Sequence, residues 1–495
     1  MRTTSTLAWT CILGASIAVG CASGRATPPA AVASASTSAD TAATAFDALF
    51  SGRALRFDYV HCGTATEERI APCGFRLEGE WPGSRTRLVD DSGAGKYRFR
   101  AHDKQTGQEL WSRGFCSIYG EWETTAPAKE GWAAFEESQR FPEPRAPARI
   151  ALEKRGVDGA FAPIWSGEFD PASRFVDRAP LARIGEVLEL RVGGEVATQV
   201  DLLIVAEGYA RGERAKFESD ARRLSDALLA TEPFKRHASS FSVRGLFVEA
   251  RESGIDDPRR GAWRDTPFDL SFNAFDSDRY VLTFSDRKLR EGAAQAPYDA
   301  LIILANERKY GGGGIHNLWA TATADTEPAA YVFVHEFGHS FAGLADEYYS
   351  SQVAYEQFAP HGVEPWEPNA TALFDPARLK WRDLVEPGTP IATPWDQDGY
   401  DALDLAYQAR RAEALAAGAS DERNEELMRE IKALTAAQLA KEPWRGRVGA
   451  FQGALYDAKR YWRPEVDCIM FSRNPTTFCR VCERALERAI RMYAE

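Results

Sequence analysis

The stretch from His335 to Glu347 reads HEFGHSFAGLADE and contains residue types that can hold and use a metal ion. Histidines four positions apart lie on one face of an α-helix, so the imidazoles of His335 and His339 can bind one Zn²⁺ at about 2.0–2.1 Å. Glu336 can take a proton from a water that the metal activates. The alternative is a surface helix with incidental histidines, which is disfavoured because the chain has only seven. The spacing predicts a catalytic zinc centre.

The residues after the second histidine offer a third ligand. Gly343 can end the helix because glycine tolerates left-handed backbone angles, and Asp346 follows three residues later. We expect Asp346 to be the third ligand, with Glu347 as the alternative or as a hydrogen-bonding support. Metzincin peptidases are similar in having the third ligand three residues after a glycine, although the glycine here comes one residue later.

A methionine far downstream belongs with this motif. The segment Asp467–Ser472 reads DCIMFS and holds one of only four methionines. Zincins with a third ligand just beyond the helix often rest on a methionine turn, so Met470 is the candidate, with ordinary core packing as the alternative. Some metzincins carry a metal-touching tyrosine two residues later. Because Ser472 stands there, we expect no such ligand.

An α/β arrangement is predicted to position these residues. The apolar run Val200–Val205 indicates a buried strand, and an amphipathic helix and strands at Phe241–Val248 and Leu301–Leu304 follow it. Thr326 is expected to cap the motif helix, with Pro328 in its first turn. We therefore predict a catalytic domain of class α/β (α+β) over residues 185–495.

A glycine run lies between the last of these strands and the motif helix. No Lys-Ser or Lys-Thr follows Gly311–Gly314, which disfavours a nucleotide-phosphate loop. A strand edge near the metal could pair with extended substrate, and glycines would let the backbone approach closely. A flexible connector is the equal alternative.

The regions on either side of this core have different patterns. Residues 46–180 show short alternating stretches, at Leu55–Val60, Tyr97–Ala101 and Ile150–Glu153, which predict an all-β sandwich accessory domain. Its aromatic residues are expected to be core, although they could line a binding face; they include Trp111, Tyr119 and Trp122. Residues at about 400–440 predict two helices broken near Gly418, as a solvated helical insertion, and residues 478–493 predict a terminal helix.

Several of these segments together resemble the IgA peptidases, metallopeptidase family sixty-four, which are similar to metzincins. The resemblance lies in HEFGHSFAGLADEY at 335–348, YGGGGI at 310–315, CIMF with FCRVC at 478–482, and SRGFCSIYGEWETT at 112–125. It implies a metzincin-like zinc endopeptidase with Zn²⁺ on His335, His339 and Asp346 and with Glu336 as base. It does not imply that immunoglobulin A is the substrate.

The start of the chain predicts export. Arg2 and a short apolar run from Leu7 to Gly20 are typical of a signal peptide over residues 1–20. The following Cys21 resembles a bacterial lipoprotein site, although Ala18 stands where leucine is usual; plain secretion is the alternative. Residues 21–45 would then be a disordered Ala/Ser/Thr/Pro tether from a lipidated Cys21. We expect an exported bacterial protein that reaches the membrane through this lipid anchor only.

The cysteine count fits that location. Besides Cys11 and Cys21 six remain, and an even number in an exported protein indicates disulfides; they are Cys62, Cys73, Cys116, Cys468, Cys479 and Cys482. The pairing stays open, and one bridge between the two domains is conceivable. Cys479-x-x-Cys482 could be a redox motif or half of a zinc site, but no second pair or suitable histidine follows it, so we expect neither.

Composition narrows the functional classes. The net charge of −12 comes without a basic patch, which argues against nucleic acid as a partner. We therefore expect a zinc-dependent endopeptidase acting on protein or glycoprotein substrates, with no oligomeric state implied. The alternative is an exported surface binding protein that uses the β-sandwich domain and holds a non-catalytic zinc. Structural zinc sites favour four protein ligands and cysteine, whereas two histidines and an acid beside a glutamate favour catalysis.

Overall fold

The computed structural model describes residues 45–350, 362–474 and 477–495. The predicted signal peptide and Cys21 lie outside the described residues, as does the tether up to residue 44. Within the described ranges, no helix is both long and apolar enough to cross a bilayer.

The described residues contain sixteen strands, a helical segment at 45–49 and eight further α-helices of four or more residues. The strands are β1 Phe50–Gly63, β2 Glu68–Glu80, β3 Tyr97–Asp103, β4 Glu109–Phe115, β5 Ala133–Pro144, β6 Ala148–Arg155, β7 Phe161–Phe169, β8 Val176–Asp177, β9 Glu186–Arg191, β10 Val200–Glu207, β11 Phe241–Phe247, β12 Ala300–Ala305, β13 Gly312–Ile315, β14 Trp319–Thr323, β15 Phe451–Ala454 and β16 Asp457–Arg463. The helices are Ile118–Trp122, Pro127–Glu130, Arg214–Ala230, Asp286–Ala293, Ala329–Ala342 (the motif helix), Gln397–Ala416 and Asp421–Leu439 (the helical hairpin) and Arg480–Ala494 (the terminal helix).

The amino-terminal region is built from two four-stranded sheets. Their strand orders are β5-β1-β2-β8 and β4-β3-β6-β7. Alternate residues of a strand face the same side, so Leu55 and Phe57 of β1 meet Phe99 of β3 and Leu152 of β6 in one buried cluster. The three predicted alternating stretches lie within β1, β3 and β6.

A second apolar cluster joins this region to the rest of the chain. Tyr119 and Trp122 are buried, together with Phe135, against Leu203 and Ile303 of the carboxy-terminal sheet. The expectation that Trp111, Tyr119 and Trp122 are core is confirmed.

The carboxy-terminal region contains a six-stranded sheet of order β13-β14-β12-β10-β11-β9. Its centre is parallel, and β9 and β13 run antiparallel at the two edges. Every residue of β10 is buried because both faces of the sheet are covered. Leu202 and Ile204 face the cluster that includes Phe217 and the motif helix, whereas Leu203 and Val205 face the amino-terminal region.

The motif helix lies against β13 and β14 and begins later than predicted. It starts at Ala329 with Pro328 in the capping position, and Thr326 contributes only its carbonyl oxygen, 3.0 Å from the Ala329 nitrogen. Thr326 is therefore not the side-chain cap, because Pro328, two positions on, takes the boundary. At the other end Gly343 adopts φ 63°, and its N–H bonds the His339 carbonyl at 3.0 Å. This is the predicted glycine stop.

The helical hairpin differs from the predicted solvated insertion. It occupies the predicted region and breaks around Gly418. However, Tyr400 and Leu427 are buried, and Met428 and Ile431 line the same cleft as the histidine motif. One side of the hairpin is therefore a wall of the cleft.

Candidate metal centre

Three donor atoms converge at the carboxyl end of the motif helix. His335 Nε2 and His339 Nε2 are 3.1 Å apart, and Asp346 Oδ1 lies 3.1 Å from each. Ligands held tetrahedrally at 2.0–2.1 Å from zinc would be separated by about 3.3 Å. The triangle is therefore close to the size that one such ion requires, and Asp346, not Glu347, completes it.

Backbone carbonyls accept hydrogen bonds from Nδ1 of both imidazoles and so orient the two rings. His335 Nδ1 lies 3.1 Å from the Ile469 oxygen, and His339 Nδ1 lies 2.6 Å from the Leu344 oxygen. A ring nitrogen facing a carbonyl donates its proton to it, so in the neutral imidazole the Nε2 lone pair is left for a metal. Although burial opposes the charged imidazole, Asp346 raises the pKa of His339 to about 9. The site therefore favours a cation between these three donor atoms, and two imidazoles with one carboxylate fit Zn²⁺.

The carboxylate of Asp346 is held from its other side. Tyr456 Oη donates a short hydrogen bond to Asp346 Oδ2, so Oδ1 is left to face the histidines. Burial favours the neutral acid, but His339 and His335 outweigh it and hold the pKa of Asp346 well below its usual value. Sequence reasoning missed Tyr456, which lies in the turn between β15 and β16. The turn also donates backbone bonds to Asp346 and Tyr348.

Met470 lies directly beneath the motif helix. It is fully buried, and a Cβ added to Gly338, between the two histidines, would be 3.2 Å from its Sδ. The neighbouring Ile469 supplies the carbonyl that orients His335. Met470 therefore packs against the helix turn that carries the two histidines, and Ser472 supplies no aromatic ring there.

Glu336 lines the cleft between the donor triangle and the edge strand β13. Burial raises the pKa of its carboxyl group. The strand comes very close to the helix here: a Cβ on Gly312 would be 3.0 Å from Glu336 Cγ, and one on Gly314 would be 2.8 Å from His339 Cβ. The glycine run is thus an edge strand and not a flexible connector.

Other polar side chains near the motif could contact the reacting oxygen of a substrate. His316 and Tyr348 both line the cleft, whereas Tyr349 turns away and bonds Asp401 at 2.6 Å. Burial lowers the pKa of His316 to about 4, so its imidazole is neutral near pH 7. Arg279, which the sequence did not single out, adds a half-buried positive charge to the cleft wall beside Tyr348.

The six cysteines of the described ranges are all free thiols. The predicted disulfides are therefore not present in this structure. Glu347 is fully buried, and its Oε1 lies 3.2 Å from Cys482 Sγ, on the far side from the histidines.

Comparison with known proteins agrees with this geometry. The family model described as IgA Peptidase M64 matches residues 188–490, well over half of the chain, and the one described as Peptidase M64 N-terminus matches residues 45–166. No curated protein matches the chain. The larger match spans both the histidine motif and Met470. The chain therefore belongs to the IgA peptidase M64 family and is a peptidase with a mixed α/β fold.

Proposed function

We propose that this protein is a zinc-dependent endopeptidase in which His335, His339 and Asp346 hold the metal and Glu336 is the general base. The observation that carries the proposal is the convergence of two imidazole nitrogens and one carboxylate oxygen within 3.1 Å, next to a half-buried glutamate. Three protein ligands leave a fourth position of a tetrahedral zinc open, as catalysis requires.

The proposed arrangement is metzincin-like, preceded by a β-sandwich. Support for the first part comes from Asp346 after the glycine stop and from Met470 under the helix. Support for the second comes from the single core shared by the two amino-terminal sheets. The lipid anchor at Cys21 and a place on the cell envelope remain proposals that rest on the sequence alone.

The protein groups have separate tasks in peptide hydrolysis. A bound Zn²⁺ supplies Lewis acidity, which lowers the pKa of water to about 7 and polarises a carbonyl. Glu336 accepts the proton of the attacking water and passes it to the leaving amine. Its raised pKa suits this exchange because the carboxyl group can both take and return a proton. Arg279 and the neutral His316 stand on the cleft wall, where negative charge develops on the substrate oxygen.

The substrate is proposed to bind as an extended peptide along β13. This strand is at the edge of the sheet and has β14 as its sheet neighbour. A single bridge from Tyr280 to Gly312 covers its start, so the part nearer Ile315 can accept a further strand by main-chain pairing. The facing wall of the cleft includes Met428 and Lys432 of the helical hairpin.

The test separates metal binding from proton transfer. Glu336→Gln should retain the parental zinc content and lose about 10²–10⁴-fold in kcat/KM, the range for a general base. His335→Ala should lose both the zinc of this site and hydrolysis. Zinc is measured by elemental analysis of purified protein, and hydrolysis with a denatured, quenched-fluorescent protein substrate.

Glu130→Gln is the matched control, because Glu130 is exposed in a short helix of the amino-terminal region. It should cleave at the parental rate. If Glu336→Gln also cleaves at the parental rate, Glu336 is not the general base. The alternative, a surface binding protein with a non-catalytic zinc, would then be favoured.

A further inference from the structure

A second group of metal-binding side chains lies behind the first. Glu347, Cys468, Cys479 and Cys482 are all buried, and their donor atoms lie within 4.8 Å of one another. They come from three separated segments: the loop after the motif helix, the turn that carries Met470, and the start of the terminal helix.

The distances match a tetrahedral zinc site. Zinc–sulfur bonds of about 2.3 Å place two sulfur ligands about 3.8 Å apart, and a sulfur and a carboxylate oxygen about 3.6 Å apart. Cys468 Sγ and Cys482 Sγ are separated by 3.9 Å. Glu347 Oε1 lies 3.2 Å from Cys482 Sγ and 3.9 Å from Cys479 Sγ.

Backbone N–H groups point at two of the three sulfur atoms. The Cys479 backbone nitrogen lies 3.2 Å from Cys468 Sγ, and the Cys482 nitrogen lies 3.5 Å from Cys479 Sγ, so both N–H groups donate to sulfur at the amino terminus of the terminal helix. Such donors and the helix dipole stabilise thiolates. Asn369 donates to Glu347 Oε1 at 3.0 Å.

The carboxylate of Glu347 points to what is bound. Its Oε2 is buried and has no hydrogen-bond partner among the described residues. A buried carboxylate oxygen without a partner is costly unless it is paired or coordinates a metal. The nearby guanidinium of Arg463 donates instead to the carbonyls of Gln452, Gly453 and Val466. A divalent cation would satisfy the carboxylate and the sulfurs together.

We propose that Glu347, Cys468, Cys479 and Cys482 bind a second zinc ion in a closed structural site. Four protein ligands rich in cysteine are typical of structural zinc. The role follows from the connections to the first centre: Glu347 directly follows Asp346, and Cys468 precedes Ile469 and Met470. One ion at this site would tie the third catalytic ligand to the turn beneath the motif helix.

The sequence pattern alone did not reveal this site. Cys479-x-x-Cys482 lacks a second pair or histidine downstream, and the missing ligands lie upstream, at Cys468 and Glu347. A disulfide between two of the three thiols, with the third left free, is the competing arrangement.

The first experiment counts zinc in the full chain by elemental analysis. The parent should contain two zinc ions per chain. His335→Ala/His339→Ala should retain one, and Cys468→Ser/Cys482→Ser should lose one. Cys73→Ser is the control, because Cys73 is an exposed thiol of β2, and it should retain both.

The second experiment does not require a cysteine variant to fold. His335→Ala/His339→Ala is depleted of metal and reloaded with Co²⁺, and intense sulfur-to-cobalt charge-transfer absorption is expected. Alkylation of the three thiols should also require a chelator, as read by intact mass.

The outcomes separate the two proposals. Zinc retained by the histidine double variant, together with cobalt–sulfur absorption, supports the second site. An intact mass showing a disulfide within the cluster, or a histidine double variant free of metal, overturns it. If the histidine double variant keeps as much zinc as the parent, the second site stands and the catalytic centre fails.

Discussion

Gly314→Ala tests whether β13 must lie directly on the motif helix. The new methyl carbon would be 2.8 Å from His339 Cβ and 3.2 Å from the Glu336 carbonyl carbon. Both neighbours are held by the helix, so neither can turn away as the end of a flexible side chain could. The strand itself must move.

The size of the effect follows from this distance. Carbon atoms pack at about 3.5–4.0 Å, so the strand must shift by roughly 0.7 Å or more from His339. A misplacement of 1 Å can cost about 10²-fold in rate, and we expect kcat/KM to fall about 10–100-fold. Overpacking should also lower the free energy of unfolding by about 1–3 kcal/mol. The zinc content should not change.

The assay compares three alanine variants by peptide cleavage, urea unfolding and zinc analysis. Gly131→Ala is the control, because a Cβ there meets nothing within 4 Å and the backbone is extended. Gly313→Ala lies on the other face of β13, where the methyl group meets the ring of Tyr280, a side chain that can adjust. The activity and stability of Gly313→Ala should therefore lie between those of Gly314→Ala and Gly131→Ala. Parental activity and stability in Gly314→Ala would refute the close packing of strand and helix.

Two more predictions concern hydrogen bonds and charge. Tyr456→Phe removes the hydrogen bond to Asp346 Oδ2 and should raise the zinc Kd of the histidine site about 10–100-fold. The Kd is measured by chelator competition, and an unchanged value would show that Tyr456 does not orient Asp346. Glu137 and Glu68 flank the buried His61, and although burial opposes the charge, they raise its pKa to about 9. Since the unfolded value is about 6.5, this ion pairing stabilises the fold fully below that pH and is lost as the pH rises through about 9. In urea titrations the parent should therefore be more stable than His61→Gln at pH 6, and this difference in unfolding free energy should become smaller by pH 10. A difference that does not change with pH would contradict the raised pKa of His61.

Local patterns predicted those parts of the fold that depend on local physics. The continuous apolar run at Val200–Val205 indicated a strand covered on both faces, and β10 is buried throughout. Gly343 indicated the end of the motif helix, which it terminates at positive φ. The first turn was less predictable, because Thr326 and Pro328 offered competing boundaries and only the packed structure shows which one applies.

Local sequence patterns could not predict which residues from distant segments meet at the site. Tyr456 reaches Asp346 from a hairpin 110 residues away, and nothing in its neighbours marks it as different from any turn tyrosine. Glu347 resembled a spare ligand for the histidines because it is adjacent in sequence, yet its side chain lies with Cys482 on the other side. Spacing can identify ligands on one helix, whereas ligands from separate segments need the tertiary structure.

The shared apolar contact between the two regions has a consequence for how the peptidase can be divided. Leu203 and Ile303 of the central sheet are covered by Tyr119 and Trp122, and Cys116 donates its N–H to the His316 carbonyl at 2.9 Å beside the cleft. A fragment starting at residue 188 would expose the apolar face of the central sheet to solvent. It would also lose the wall of the cleft that the amino-terminal region provides. The amino-terminal region is thus an integral part of the folded peptidase, and the two regions should be expressed and studied together.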